Sequence, residues 1–187
     1  MTRAPAAASH LLFALYPVLI FVGLQFFDAR TVGVFVLAAL AVRYRRTALG
    51  VMSDFSAWQW LAVTLPVVLG LSVVATNSEA LLLLYPASIS AAMLILFGTT
   101  LLRPPTMVER FARLRQPDLP AESVRYTRRV TEAWCLFFVC NGTAAVYTAF
   151  FASREAWALY NGFIAYLLMG ALFAGERLVR RRVIPAA

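Results

Sequence analysis

Few side chains in this sequence have the types and the spacing that catalysis or metal binding requires. Cys135 and Cys140 stand five residues apart in one apolar stretch, where a helix places them on different faces and prevents a disulfide between them. We expect both to be buried thiols. His10 is the only histidine, so no metal-ligand spacing is present. Since the sequence also lacks a glycine-rich phosphate loop and a nucleophile elbow, it predicts no enzyme, no cofactor and no metal.

A second group of polar residues lies at the start of that apolar stretch and within it. Glu132 follows Arg128 and Arg129 at the three- to four-residue spacing at which helix side chains meet. A structural ion pair is favoured there, and a charged intramembrane site is the alternative. Asn141 comes twelve residues after Arg129, about 18 Å deeper along a helix and near the middle of a bilayer. We expect its amide to hydrogen-bond between helices, and a substrate-lining role is the alternative. Its candidate partners are Thr143, Thr148, Ser88, Ser90 and Tyr166.

Six apolar stretches, separated by short polar breaks, must position these residues. The chain has 187 residues, of which 61% are hydrophobic, and its mean hydropathy of +0.75 lies outside the range of soluble domains. The third to sixth stretches approach or reach the length of about 20 residues that a membrane crossing needs. The sequence therefore predicts an all-α polytopic transmembrane helix bundle with about six membrane helices, forming a single integral membrane domain over residues 1–187. The stretches are 10–27, 31–42, 58–75, 80–102, 130–151 and 156–175.

The first two stretches are shorter than the others. The second has only twelve uncharged residues between Arg30 and Arg43, which is about 18 Å of helix. The pair forms either two short spans or a re-entrant hairpin, and both arrangements leave every later segment on the same side. The first stretch lacks the small residues of a signal-peptidase site, so we expect it to remain as a helix.

The arginines are sorted to one side of these stretches. The net charge is +8, and every basic residue other than His10 is arginine. With the amino terminus in the cytoplasm, fifteen of the seventeen arginines fall in cytoplasmic segments, and only Arg30 and Arg154 face outward. This bias predicts that both termini are cytoplasmic, because arginine-rich loops resist translocation. Nucleic acid is not an expected partner, since the arginines flank apolar segments instead of a soluble basic surface.

The longest polar segment, 103–129, is a basic loop on the predicted cytoplasmic side. Pro104 and Pro105 end the fourth stretch. Thr106 and Glu109 then form a capping-box pattern that predicts a helix over about 107–115.

This helix is expected to be amphipathic, with one apolar side formed by Met107, Val108, Phe111 and Leu114. Two interpretations are open. The helix is either a connector that rests on its own bundle, or an interfacial helix that docks anionic headgroups of membrane lipids or a membrane-protein partner. The candidate docking residues are Arg110, Arg113 and Arg115.

Small residues four positions apart indicate places where helices approach closely. Ala87 with Ala91, Gly170 with Ala174, and Ala171 with Gly175 have this spacing. The pattern predicts tight packing of the fourth and sixth spans against neighbouring helices or against a second copy in a homo-oligomer.

Short motifs along the chain resemble the intracellular septation protein A family, small bacterial inner-membrane proteins linked to cell-envelope integrity and division. The resemblance implies a location in the bacterial inner membrane and a fold usually drawn with five spans, in which the first stretch is interfacial or re-entrant. The residues that carry it are Leu15, Tyr16 and Pro17, Phe27 and Asp28, Arg103 and Pro104, 133–138 (AWCLFF), Asn141, Gly142 and Tyr147.

Part of the basic loop departs from that family. Residues 108–113, Leu119, Pro120 and 128–131 look more like a relative among uncharacterised membrane proteins found beside fatty-acid or aryl-polyene biosynthesis genes. The function expected from the resemblance is non-enzymatic support of cell-envelope assembly or integrity through protein or lipid contacts. The alternative is a small carrier or accessory factor for a lipid-like or polyene acyl product.

Overall fold

The computed structural model describes residues 16–44, 57–114 and 116–183, and all regular secondary structure in these ranges is helical. A π-helical turn, Tyr160–Ile164, joins the last two helices into one continuous run. The helices are α1 (Tyr16–Phe26), α2 (Ala29–Tyr44), α3 (Ala57–Thr76), α4 (Glu79–Leu83), α5 (Tyr85–Leu102), α6 (Met107–Arg113), α7 (Ala121–Phe151), α8 (Arg154–Leu159) and α9 (Ala165–Val183).

Within the described residues, four helical segments are long and apolar enough to cross a membrane, which confirms the predicted helices of the third to sixth stretches. They are Ala57–Thr76, Tyr85–Leu102, Ala121–Phe151 and Arg154–Arg180. The fourth stretch is interrupted at Leu84, and Pro86 occupies the first turn of α5, where its missing amide hydrogen costs no helical hydrogen bond. The described parts of helices α1 and α2, with 11 and 16 residues, are shorter than a full crossing.

Three tight turns, at 27–28, 77–78 and 152–153, lie together at one end of the bundle, which we call the short-turn end. The amide of Arg30, at the start of α2, donates to Asn77 Oδ1 at 2.7 Å. Arg154 Nη2 lies 2.6 Å from Glu79 Oε2. Since these contacts join the three turns, the connections that the sequence places on one side of the membrane are neighbours in space.

The core near the short-turn end is built around Trp157. Its ring is fully buried, and its indole Nε1 donates to the carbonyl of Leu83 at 2.9 Å. Ile20 of α1, Val32 of α2 and Val73 of α3 belong to the same cluster. Because α1, α2, α3, α4 and α8 all contribute to it, this end of the bundle is closed.

Two further features hold the long helices together. Gly33 of α2 and Gly142 of α7 allow close approach, because an added Cβ would stand 2.9 Å from Val73 Cγ1 and 3.2 Å from Ser90 Cβ respectively. Towards the other end, Phe97 of α5 packs against Trp134 and Phe138 of α7. Helix α9 has the least support, since it packs on α7 at few positions.

The small-residue pairs of the last span are not packing sites within this chain. An added Cβ at Gly170 or Gly175 would meet no atom within 4 Å. The prediction of tight packing there is therefore wrong for contacts inside one copy, and contact with a second copy stays a prediction. The positions that do allow close helix contact include Gly33, Gly70 and Gly142, and none of them belongs to the predicted small-residue pairs.

Candidate functional site

The end opposite the short turns carries most of the described arginines, and we call it the arginine end. It comprises residues 101–133 and 171–183. Helix α7 has 31 residues, about 46 Å of helix, and the run 154–183 is about 45 Å long. Measured from the short-turn end, a hydrocarbon core of about 30 Å leaves the last 15 Å or so of both helices at the membrane surface and beyond it.

Helix α6 rests on the bundle at this end. Its first two amides are satisfied by threonine side chains from two different helices: Met107 N donates to Thr100 Oγ1 at 2.9 Å, and Val108 N donates to Thr131 Oγ1 at 3.4 Å. The side chains of Met107 and Val108 pack against the aromatic cluster around Trp134. The amino-terminal amides of a helix need such partners, so the two threonines fix both the position and the rotation of α6.

This rotation differs from the predicted one. Glu109, expected to face away from the bundle, is only 4% exposed, whereas Phe111 and Leu114, expected to share the packed apolar side, are 60% and 82% exposed. The physical reason is the anchoring of the first turn on Thr100 and Thr131, which turns Glu109 inwards. Of the predicted apolar side, Met107 and Val108 pack on the bundle, and the other two residues are largely exposed.

The buried carboxylate of Glu109 is matched by hydrogen bonds within the loop. Its Oε1 accepts from Arg113 Nε at 2.9 Å and Nη2 at 2.7 Å, and its Oε2 accepts from the Thr106 amide at 3.3 Å, which is the glutamate half of the predicted capping box. Arg113 Nη1 also donates to the carbonyl of Pro117. Since a buried charge requires such partners, the role of Arg113 is structural: it neutralises Glu109.

The other predicted docking arginines differ from one another. Arg110 Nε donates to the carbonyl of Pro105 at 2.9 Å, and the residue is exposed. Arg115 lies outside the described residues. Of the two described docking arginines, Arg110 is therefore the one that is exposed. Its hydrogen bond is made to the loop backbone alone.

Arg128 and Arg129 are separated by the fold. Arg128 Nε lies 3.1 Å from Glu132 Oε1, and its Nη1 donates to the carbonyl of Leu101. Both side chains of this pair are half-exposed, and exposed i,i+4 pairs stabilise a helix by only about 0.5 kcal/mol. Arg129 lies on another face of α7, where it lines a cleft against α9.

That cleft, between the projecting parts of α7 and α9, has a volume of about 680 Å³. Its rim is polar and includes Arg125, Arg129, Glu122 and Glu176. A hydrogen bond of 3.0 Å from Tyr126 Oη to the Glu176 carbonyl spans it.

The floor of the cleft is apolar and is formed largely by small residues. Val130, Ala133, Ala171 and Leu172 line it. Next to Ala133 and Leu172 in the sequence, Trp134 of α7 and Phe173 of α9 have ring centroids 4.6 Å apart. A polar rim above an apolar floor suits an amphiphilic ligand.

Asn141 lies near mid-bundle and joins three helical segments. Its Nδ2 donates to Ser90 Oγ of α5 at 3.1 Å, and its Oδ1 accepts from Tyr160 Oη of the π-helical turn at 3.2 Å. Ser90 is one of the predicted partners, and Tyr160 is not. The amide thus bridges helices, and both of its polar atoms are occupied.

Asn161 is a polar residue that the sequence analysis missed. It is buried, and its Nδ2 donates to Thr148 Oγ1 at 3.2 Å and to the carbonyl of Trp157 at 2.9 Å. The sequence contains the signal that predicts such a residue, an amide side chain within an apolar stretch. The same signal predicts the interhelical role of Asn141, because a buried amide must find partners.

The thiols and the acidic residues form no reactive centre in the described part of the chain. Both cysteines are free; Cys135 is half-buried, but Cys140 is exposed, so the expectation of two buried thiols is wrong for Cys140. Among the described residues, no group of three or more His, Cys, Asp or Glu side chains could hold a metal ion, and His10 lies outside them.

Comparison with protein-family models, curated proteins and solved structures gives no match for this chain. The resemblance to the septation protein A family therefore stays a prediction.

Proposed function

We propose that this chain is a non-enzymatic multi-pass protein of the bacterial inner membrane that supports envelope assembly by binding partners at its arginine end. That end faces the cytoplasm, both termini are cytoplasmic, and α1 with α2 adds two short spans or a re-entrant hairpin to the four long helices. The distribution of charge supports this orientation. Within the described residues, Arg30 and Arg154 lie at the short-turn end, and eight other arginines with described side chains lie at the arginine end.

The observation that carries the proposal is the anchored helix α6. Thr100 and Thr131 hold its first turn, and the buried Glu109 ties it to Arg113. Its outer side presents Phe111 and Leu114 beside Arg110, all exposed. A rigid helix that exposes apolar side chains next to a cation favours partner binding, because little conformational freedom is lost on docking. We call this outer side the α6 platform.

The experiment compares two exposed phenylalanines, one at each end of the molecule. Phe111→Ser removes the aromatic ring of the α6 platform, and Phe27→Ser, at a residue 56% exposed in a short turn, is the matched control. The assay is complementation of a strain that lacks the protein, read as envelope integrity and division. Phe111→Ser is expected to lose complementation while its membrane level stays normal, and Phe27→Ser is expected to retain it. Full complementation by Phe111→Ser would contradict the α6 platform.

A charge-reversal test of the α6 platform is most informative when only one arginine is changed. Reversing Arg113 would also remove the partner of the buried Glu109, so its effect on folding would mask any effect on docking. Arg110→Glu, which leaves Glu109 paired, is therefore the cleaner variant. It is expected to weaken complementation less than Phe111→Ser.

The second candidate function, an accessory factor or carrier for a lipid-like chain, is favoured by the open cleft between α7 and α9. A carrier that uses this cleft would keep its function in Phe111→Ser. The same variant therefore separates the two candidates.

A further inference from the structure

We propose that the cleft between α7 and α9 binds one anionic phospholipid of the cytoplasmic leaflet, with its phosphate on Arg125 and Arg129 and one acyl chain along the apolar floor. This inference rests on the proposed orientation in the membrane, but not on the α6 platform, which lies elsewhere on the arginine end.

The charges at the rim favour an anion. Arg125 and Arg129 are four residues apart on α7, exposed, and line the same cleft. Within the described residues, no carboxylate lies within 4.0 Å of either guanidinium, in contrast to Arg113, Arg128 and Arg154, each of which has a glutamate partner.

The glutamates at the rim do not cancel this charge. Glu176 is held by Tyr126 and lies 4.0 Å from Arg180, so its charge is matched by an arginine that does not line the cleft. With Glu176 matched by Arg180, Arg125 and Arg129 are opposed at the rim by Glu122. Two neighbouring guanidinium groups without a carboxylate partner suit a phosphate, because arginine donates charge-assisted, bidentate hydrogen bonds to phosphate oxygens.

The depth of the cleft matches the position of a lipid headgroup. A hydrocarbon core of about 30 Å, counted along α7 from its last residue at the short-turn end, ends near residue 131. Arg125 and Arg129 then lie at the headgroup level, while Val130 and Ala133 lie at the edge of the hydrocarbon. The polar rim and the apolar floor therefore meet where the two parts of a phospholipid meet.

The floor has room for a chain beside its three small residues, Ala133, Ala171 and Gly175. An added Cβ at Gly175 would meet no atom within 4 Å, and Ala133 and Ala171 face the same space. Filling this space from the protein itself should exclude an acyl chain and leave the arginines in place.

Lipid binding is tested with the purified full-length protein by native mass spectrometry, with phosphatidylglycerol and phosphatidylethanolamine titrated separately. The variant Arg125→Gln/Arg129→Gln is compared with Arg103→Gln/Arg177→Gln, which removes the same charge from exposed arginines outside the cleft. We expect the cleft variant to lose at least tenfold in phosphatidylglycerol affinity and the control to change less than twofold. An equal loss in both variants, or equal binding of both lipids by the unmodified protein, would overturn the proposal.

A second comparison keeps all arginines. Gly175→Leu fills the cleft, and Gly170→Leu, on the same helix but outside the cleft, is the control, since both positions have open space beside them. Gly175→Leu is expected to lower lipid retention at least fivefold and Gly170→Leu to leave it unchanged, with circular dichroism showing both folded. Unchanged retention in Gly175→Leu would exclude the acyl-chain part of the site. These variants leave the α6 platform intact, so failure here is distinguishable from failure in complementation.

Discussion

The two ends of this bundle are held together in different ways. At the short-turn end, contacts join residues far apart in the sequence: Arg30 with Asn77, Glu79 with Arg154, and Trp157 with Leu83. At the arginine end, the ion pairs within the described residues are all between positions four apart on one helix. The short-turn end has an ion pair between distant segments, whereas the arginine end joins its distant segments by hydrogen bonds, such as those of Val108 with Thr131 and Tyr126 with Glu176.

This difference indicates how structure and binding are divided within the molecule. Contacts between distant segments set the arrangement of the helices, and at the short-turn end they lie beside connections only about two residues long. The arrangement of the helices extends from the short-turn end to the arginine end. Helices α7 and α9 can therefore diverge there and leave a cleft without loss of the fold. Substitutions at the two ends should therefore have different effects, on stability at one and on binding at the other.

The largest effect is expected for Trp157→Ala. Its ring is fully buried at the closed end and its indole hydrogen bond would also be lost, so we expect a loss of about 3 kcal/mol in the free energy of unfolding. The measurement is reversible unfolding in mixed micelles followed by circular dichroism. Trp58→Ala, at an exposed tryptophan of α3, is the control and should change stability by less than about 0.5 kcal/mol. Similar stabilities of the two variants would contradict a closed end built on Trp157.

A second prediction compares two helical glycines. Gly33→Ala should cost about 1–2 kcal/mol, because its methyl group would stand 2.9 Å from Val73 Cγ1 in the closed core. Gly170→Ala adds a methyl group where no atom lies within 4 Å, and it should stabilise the chain by about 0.5 kcal/mol through helix propensity. Both are measured by the same unfolding assay. A loss of stability in Gly170→Ala would show that α9 is packed against something, and a second copy would be the first candidate.

The third prediction concerns the boundary between the closed and the open half. Asn141→Ala removes the bridge from Ser90 to Tyr160, and we expect a loss of about 1 kcal/mol, typical of hydrogen bonds between membrane helices. Thr143→Ala, whose hydroxyl bonds only to its own helix at Val139, is the control. If Asn141→Ala leaves stability unchanged but abolishes the function measured by complementation, a substrate-lining role would replace the structural one.

The smallest effect is expected at Asp28, in the first short turn. Its carboxylate accepts a hydrogen bond from the Thr31 amide at 3.0 Å, and hydrogen bonds from Thr31 lower the pKa of the Asp28 carboxyl below its ordinary value of 3.8. Because the folded-state pKa is lowered, the stabilisation is present above the unfolded pKa and is lost as the pH falls through the folded value. Unfolding measured between pH 7 and strongly acidic conditions should therefore show a loss of stability below about pH 4.

Asp28→Asn preserves the helix cap and should remove this part of the acid sensitivity. Asp118→Asn, with the same charge change in the loop at the arginine end, is the control and should keep it. Identical acid profiles for the two variants would show that ionisation of Asp28 contributes nothing to the acid sensitivity.

Much of the fold could be predicted from the sequence because its elements depend on local properties. Length and hydropathy indicate the four long helices, and the glutamate of the predicted capping box accepts from Thr106 as the pattern requires. The rotation of α6 could not be predicted, because it depends on Thr100 and Thr131, which belong to two other helices.

The candidate sites show the same limit. The spacing of Arg128 and Glu132 predicts their contact, since one helix supplies both residues. The same spacing does not reveal that Arg129 faces α9, because that depends on how α7 packs in three dimensions. The π-helical turn at Tyr160 likewise has no compositional signature, and without it the partner of Asn141 could not be identified.

That turn also sets the rotation of the following helix, α9, about its axis. A π-helical turn contains one residue more than the α-helical turn it replaces, and one residue corresponds to about 100° of rotation around a helix axis. Without the extra residue, Gly175 and Glu176 would point away from α7 while Trp157 stayed in place. A single irregular turn at mid-bundle thus decides which side of the last helix meets its neighbour some 20 Å further along.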